Sequence, residues 1–120
     1  MFRLAVAVLA LSLLAAIPAA AQDDVDVPPG YRFCGWKDFV NGGWTHDPPD
    51  GASLVLFARK MSCHTARRKL RKVRYDENPP YRPRLKNYRC VRLESGYEYE
   101  DARCSRRGHP KIALRWQTGS

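Results

Sequence analysis

The sequence predicts a small α+β domain, in which an antiparallel sheet of four to five strands carries one helix on one face and two disulfides staple the fold. Three observations support this class. A basic stretch at residues 62–74 has apolar side chains at helical spacing, several other stretches have the composition of β-strands, and four cysteines follow an apolar N-terminal run. The predicted order of elements is β-β-α-β-β-β.

The N-terminal 21 residues have the three parts of a secretory signal peptide. Arg3 supplies a positive start, residues 4–17 form an apolar run, and Pro18 leads into alanines that end at Ala21, the expected cleavage site. The run is shorter than the roughly 20 apolar residues that a membrane-spanning helix needs. We therefore expect a secreted, extracellular protein whose mature chain has no transmembrane segment.

The rest of the chain is expected to form one ordered domain after a short leader. Residues 22–30 hold three aspartates, two prolines and a glycine, a composition that predicts a disordered acidic leader. Residues 31–120 are enough for a single disulfide-stapled domain with a modest core. Because a small core buries little apolar surface, such domains commonly depend on disulfides.

All four cysteines lie in this domain: Cys34, Cys63, Cys90 and Cys104. An even number in a short exported chain predicts two disulfides, and three pairings are open. We favour Cys63–Cys104, which leaves Cys34–Cys90, because Cys63 and Cys104 are both expected to face the core. Zinc bound by cysteines and histidines is the alternative, but the C-x-x-C pair that structural zinc sites usually contain is missing. We predict no metal site and no cofactor.

Strand-forming stretches surround the basic helix. The predicted strands are residues 31–40, 52–58, 87–93, 97–103 and 111–117, of which the second is almost continuously apolar and therefore central. Residues 44–51 and 75–86 contain prolines and predict loops. In the last strand, Ile112, Leu114 and Trp116 share one face, which we expect to meet the helix.

The helix at residues 62–74 is strongly basic. Ser62 is a suitable N-cap, and an apolar stripe recurs at helical spacing. The residues of the stripe are Cys63, Ala66, Leu70 and Val73, and the candidate polyanion-binding residues are Arg67, Arg68, Lys69, Arg71, Lys72 and Arg74. A chain of net charge +9 is attracted to anionic polymers and surfaces. The competing interpretation is that this charge only maintains solubility.

Trp44 is the candidate residue for a second kind of binding. It lies between a glycine and a proline-rich loop, and exposed tryptophans can stack on sugars or anchor protein partners. A protein-binding or inhibitor-like module that uses residues 44–51 is therefore the alternative function.

No catalytic residues are predicted. Cys63 and His64 are neighbours, but adjacent residues of a helix point about 100° apart, and Cys63 is expected to be oxidised. Glu98 and Glu100 share a face of a predicted strand and could act as paired carboxylates, although acidic residues on a hairpin are mostly solvated surface. An exported hydrolase is therefore the least favoured function.

Five short motifs span nearly all of the mature chain. They are Phe33-Cys34-Gly35, residues 57–68 (FARKMSCHTARR), Tyr88-Arg89-Cys90, Arg103-Cys104 and Leu114-Arg115-Trp116. In these motifs the chain resembles a family of small secreted, cysteine-containing actinobacterial proteins that has no assigned activity. The resemblance implies export, disulfides and an α+β fold, and it carries over no functional residue. The chain departs from the family at residues 44–51 and 78–83.

The sequence as a whole predicts a secreted, non-catalytic binding module that associates with anionic cell-envelope polymers through its basic helix. Specific nucleic-acid recognition is not expected, since the chain has no known reader motif. An extracellular protein is the alternative partner.

Overall fold

The computed structural model describes residues 25–119, and the predicted signal peptide and the first residues of the predicted leader lie outside this range. Strands make up 51% of the structure and helix 8%. The predicted α+β class is therefore wrong, because the domain is mostly sheet with one short helix. The helix is shorter than expected, the last three strands are longer, and the proline-containing stretches add three short strands.

The elements follow one another along the chain without long gaps. They are β1 (Arg32–Asp38), β2 (Trp44–Thr45), β3 (Ser53–Arg59), α1 (Cys63–Leu70), β4 (Arg74–Tyr75), β5 (Pro83–Arg84), β6 (Tyr88–Gly96), β7 (Tyr99–Arg106) and β8 (His109–Gly119). Six strands form one antiparallel sheet in the order β2-β1-β3-β8-β7-β6, and β4 pairs with β5 in a separate two-stranded sheet. The main sheet is thus larger than the four to five strands that the sequence predicts.

The main core lies between α1 and one face of the sheet. Leu114 and Trp116 of β8 are buried in one cluster with Ala66 of α1, and the rest of the helix stripe packs at its margin. This confirms the predicted inward face of the last strand for Leu114 and Trp116, whereas Ile112 is only partly buried and lies outside the cluster. β3 lies beside β8 in the middle of the sheet, and six of its seven residues are buried, as the apolar run predicts.

The opposite face of the sheet has a smaller apolar layer. Val55 and Phe57 of β3 are buried there, and the ring of Phe57 lies 6.5 Å from that of Phe33, measured between centroids. Arg115 and Asp101 pair beside this layer. Both faces of the central strands are therefore covered, although only one of them carries the helix.

The helix begins as predicted and ends earlier. The Ser62 hydroxyl accepts a hydrogen bond of 3.1 Å from the Thr65 backbone N–H, which confirms the N-cap. The helix ends at Leu70, and Arg74 already pairs with Arg84 in the β4–β5 sheet. The prediction of a continuous helix over residues 62–74 is therefore wrong. Like charges spaced four residues apart weaken the helix. In addition, the residues that would extend it to residue 74 lead into β4, which pairs with β5.

The disulfides join Cys34 to Cys63 and Cys90 to Cys104. The favoured pairing Cys63–Cys104 with Cys34–Cys90 is therefore wrong, although two disulfides are present. β6 and β7 are neighbouring strands that place Cys90 directly opposite Cys104, and α1 crosses β1 and β3 so that Cys63 meets Cys34. All four cysteines face the core, so the expectation that Cys63 and Cys104 face it could not identify which cysteines pair.

Among residues 25–119, no helix is both long and apolar enough to cross a membrane.

Candidate functional site

The outward side of α1 and the turn after it carry three cations that point into solvent. We call Arg68, Arg71 and Lys72 the basic helix face; all three residues are exposed. Within residues 25–119 the ion pairs of the protein involve other arginines, so the basic helix face has no carboxylate partner. These three residues are the exposed members of the predicted polyanion-binding set that no side-chain contact within residues 25–119 holds in place.

Arg67, by contrast, is used inside the protein. Its Nε and Nη2 donate to the Cys34 carbonyl oxygen at 3.2 and 2.6 Å, and its guanidinium lies 4.9 Å from the centroid of the Trp44 ring. Gly35 makes this approach possible, because a Cβ there would lie 3.2 Å from Arg67 Nη2 and its φ of 105° disfavours other residues. Arg67 therefore fastens α1 to β1.

Trp44 lies in a different setting from the one that the sequence predicts. Instead of belonging to a free loop, it forms β2 with Thr45, is half-buried and packs against the main core. Lys37 Nζ lies 6.0 Å from its ring centroid, and Arg67 covers it as well. Partner binding through Trp44 remains a prediction, but the fold already uses much of this ring.

The remaining two predicted residues also have contacts within the protein. Lys69 Nζ lies 5.7 Å from the centroid of the Tyr88 ring, at the edge of a groove described below. Arg74 Nη1 donates to the Arg71 and Val73 carbonyl oxygens at 3.1 and 3.2 Å, which closes the turn after the helix. The six predicted residues therefore divide into a solvent-facing group and a group that has contacts within the protein.

A groove of about 530 Å³ separates α1 from the turn between β7 and β8. We call it the cation groove, because its walls carry Lys60 and Lys69 on the helix side and Arg106 and Arg107 on the turn side. None of the nine residues that line it is acidic. Sequence reasoning did not place Arg106 or Arg107 in a binding site. Adjacent arginines in a turn were a signal, but the sequence alone could not place that turn beside the helix.

Glu100, in the hairpin formed by β6 and β7, has several contacts within the fold. Glu100 Oε1 accepts hydrogen bonds from Tyr75 Oη at 2.7 Å and Trp116 Nε1 at 2.9 Å, and Oε2 accepts one from Arg92 Nε at 2.9 Å. Burial, followed by the neighbouring Glu100 carboxylate, raises the pKa of the Tyr75 phenol. Glu98 lies in the β6–β7 turn with a φ of 62°, so Glu98 and Glu100 do not share a strand face, as the predicted strand at residues 97–103 would require.

Arg92 extends this group, which we call the Glu100 cluster, to the proline-rich loop. Its Nη1 and Nη2 donate to the carbonyl oxygens of Pro80 and Tyr81 at 2.6 and 2.7 Å. The side chains of Arg92 and Glu100 are only 21% and 13% exposed, so this ion pair is largely shielded from water. The Glu100 cluster therefore holds the loop at residues 76–82 against the sheet.

The chemistry of the cysteines bears on the hydrolase alternative. Cys63 is bonded to Cys34 and there is no free cysteine among the described residues, so Cys63 cannot serve as a nucleophile in this structure. Over the same range, no group of three or more histidine, cysteine or acidic residues is arranged to hold a metal ion.

No protein-family model, curated protein or solved structure matches this chain. The resemblance to secreted actinobacterial proteins therefore remains a prediction.

Proposed function

We propose that this protein is a secreted, non-catalytic module that binds anionic polymers, such as those of a cell envelope, through the basic helix face. The observation that carries the proposal is the set of exposed cations Arg68, Arg71 and Lys72, which have no carboxylate partner among the described residues. A polyanion that contacts such a surface releases its condensed counterions, which favours binding at low salt.

The distribution of charge supports the same proposal. The chain has a net charge of +9, and the acidic residues Glu100 and Asp101 are neutralised by Arg92 and Arg115 on the hairpin side. These two acids are therefore paired within the main sheet, and the three cations of the basic helix face are not partners in any ion pair among residues 25–119. A fixed cluster of like charges attracts a polyanion more strongly than the same charges scattered over the surface.

Export is part of the proposal. The two disulfides are compatible with an extracellular protein, because such bonds persist in oxidising compartments. The signal-peptide pattern at residues 1–21 supports export independently.

Charge reversal on the basic helix face tests the proposal. On a column of immobilised polyanion, we expect the Arg68→Glu/Lys72→Glu variant to elute at a much lower salt concentration than the unchanged protein. The matched control is Arg32→Glu/Arg89→Glu, which makes the same change in net charge at exposed positions on β1 and β6. Equal losses in both variants, or retention that salt does not weaken, would contradict the proposal.

The protein-binding alternative has weaker support at Trp44, since that ring is largely occupied. The same part of the molecule does expose Phe39 and Val40, which are 51% and 71% accessible to solvent. A partner captured by the unchanged protein and lost from a Val40→Asp variant, but kept by Arg68→Glu/Lys72→Glu, would favour this alternative over the first proposal.

A further inference from the structure

We propose that the cation groove is a separate binding site for a short, multiply charged chain of phosphate or sulfate groups. This inference deepens the proposed function, on which it rests, by assigning a defined pocket in addition to the basic helix face. The two surfaces share no residue, so they can be tested apart.

The arrangement of charge is the first argument. Lys60 and Lys69 stand on one wall of the groove and Arg106 and Arg107 on the other. Because no acidic residue lines the groove, the four cations are not neutralised within it. Cations held close together repel one another, and an anion placed between the walls would relieve that repulsion. The two arginines can each bind a phosphate or sulfate group with two parallel hydrogen bonds.

Both walls are held in place before any ligand arrives. On the turn side, the Arg107 backbone N–H donates to the Asn87 carbonyl oxygen at 2.9 Å, which joins the β7–β8 turn to the start of β6. On the helix side, the Cys34–Cys63 disulfide and the Arg67 bonds to β1 secure α1. The backbone of both walls is therefore in place before binding, so the entropy cost of binding is mainly that of ordering the four cationic side chains.

The lining and the size of the groove narrow the class of ligand. Tyr88 is buried with its ring facing the Lys69 ammonium group, and the partly buried Ile112 also lines the groove, so some apolar surface lies among the four cations. At about 530 Å³ the groove is far larger than one phosphate ion and has room for several phosphate or sulfate groups. A chain with two or more charged groups can contact both walls at once.

The test uses the oxidised protein and two probes, inorganic tripolyphosphate and sucrose octasulfate, measured by isothermal titration calorimetry at low salt. The groove variant is Arg106→Gln/Arg107→Gln, which keeps the backbone bond from Arg107 to Asn87. The matched control is Arg68→Gln/Lys72→Gln, which removes the same charge from the basic helix face. Because the bidentate contacts are lost only from the groove variant, we expect its affinity to fall at least about tenfold and that of the control less than about threefold.

Nuclear magnetic resonance locates the site directly in the unchanged protein. Amide signals of Lys60, Lys69, Arg106 and Arg107 should shift on titration with tripolyphosphate, whereas those of Arg68 and Lys72 should move little. Near-ultraviolet circular dichroism of each variant shows whether it is folded, so a misfolded variant is not counted as a loss of binding. Binding of only one probe would identify the anion as phosphate or sulfate and would support the pocket.

Equal losses of affinity in the two variants would overturn the inference, because they would show a diffuse positive field instead of a pocket. Absence of binding to both probes would also overturn it. The proposed function would survive either result if the Arg68→Glu/Lys72→Glu variant still lost retention on the polyanion column. If Arg68→Glu/Lys72→Glu were retained on the column as strongly as the unchanged protein, while the groove still bound its probes, the basic helix face would be rejected as a binding surface and the groove would stand.

Discussion

The basic helix face and the Glu100 cluster are two charged regions of one small domain, and they treat charge in opposite ways. Arg68, Arg71 and Lys72 are exposed and have no carboxylate partner among the described residues. Glu100 and Arg92 are largely buried, pair at 2.9 Å and form further hydrogen bonds. The buried charges of the Glu100 cluster support the fold. The exposed charges of the basic helix face contribute little to it and remain available to a ligand.

Each region also has its own disulfide. Cys34–Cys63 fastens α1 to β1, which have few other means of contact, whereas Cys90–Cys104 joins strands that already share a hydrogen-bonded ladder. We therefore infer that the first bond positions α1, which carries the proposed binding surface, and that the second reinforces a structure that would form without it. The predictions below test this contrast.

The largest expected effect comes from removing the disulfide under the helix. The loop entropy of the unfolded chain predicts that Cys34→Ala/Cys63→Ala lowers the free energy of unfolding by roughly 3.5 kcal/mol, for a separation of 29 residues. Cys90→Ala/Cys104→Ala should cost about 3 kcal/mol for a separation of 14. Urea denaturation measures both values.

Hydrogen exchange sharpens this comparison. The two disulfides are expected to contribute similar amounts to the free energy of unfolding, but to differ in how strongly they hold the elements that they join. The amides of α1 should lose protection in the first variant, and those of β6 and β7 should keep theirs in the second. Retained protection in α1 after loss of Cys34–Cys63 would show that packing alone holds the helix.

The next effect concerns the shielded ion pair. Glu100→Gln leaves Arg92 without its counter-ion in a largely buried position, so we expect a loss of roughly 2–3 kcal/mol in the free energy of unfolding. Glu94→Gln is the matched control, since Glu94 is exposed and has a hydrogen bond only to Tyr99 among the described residues. A similar cost in both variants would remove the distinction between the two charged regions.

Two adjacent arginines of α1 provide a smaller test of the same distinction. Arg67→Ala leaves the Cys34 carbonyl without its donor and uncovers Trp44, which should cost roughly 1–2 kcal/mol of stability. Arg68→Ala, in contrast, should change the free energy of unfolding by less than about 0.5 kcal/mol, because the side chain is exposed. Retention on a polyanion should respond to Arg68 even though stability does not.

The smallest effect appears only at high pH. The Tyr75 phenol has a raised pKa in the folded protein, so the native state holds its proton while an unfolded tyrosine ionises near pH 10. Below that pH the contribution of Tyr75 to stability is fully present, and it is lost as the pH rises toward the folded pKa. In a spectroscopic titration at alkaline pH, one tyrosine should ionise after the others. This last ionisation step should be absent from the titration of Tyr75→Phe. Simultaneous ionisation of all tyrosines would contradict this environment.

Several features of the fold could be predicted from local sequence. The Ser62 cap, the central strand at residues 52–58 and the inward face of Leu114 and Trp116 follow from spacing within a few residues, and the structure confirms them. The fold class could not be predicted in this way. Whether a proline-rich stretch joins a strand, and where a helix ends, depends on neighbours from distant parts of the chain.

The binding surface was predicted in the same partial manner. Composition correctly placed the positive charge along α1, but it gave equal weight to Arg67 and Arg68, which the structure separates completely. Arg106 and Arg107 could not be placed in a binding site from the sequence, because nothing in their local sequence shows that their turn faces the helix.

By itself, the sequence determined that this chain has two disulfides, a capped basic helix and strands with a defined inner face. These properties depend on residue type and on short-range periodicity, which a linear chain displays directly. Only the tertiary structure decided which cysteines pair, which cations are free and where a groove forms. Each of these depends on the order of strands in the sheet, and that order is set by contacts between residues far apart in the chain.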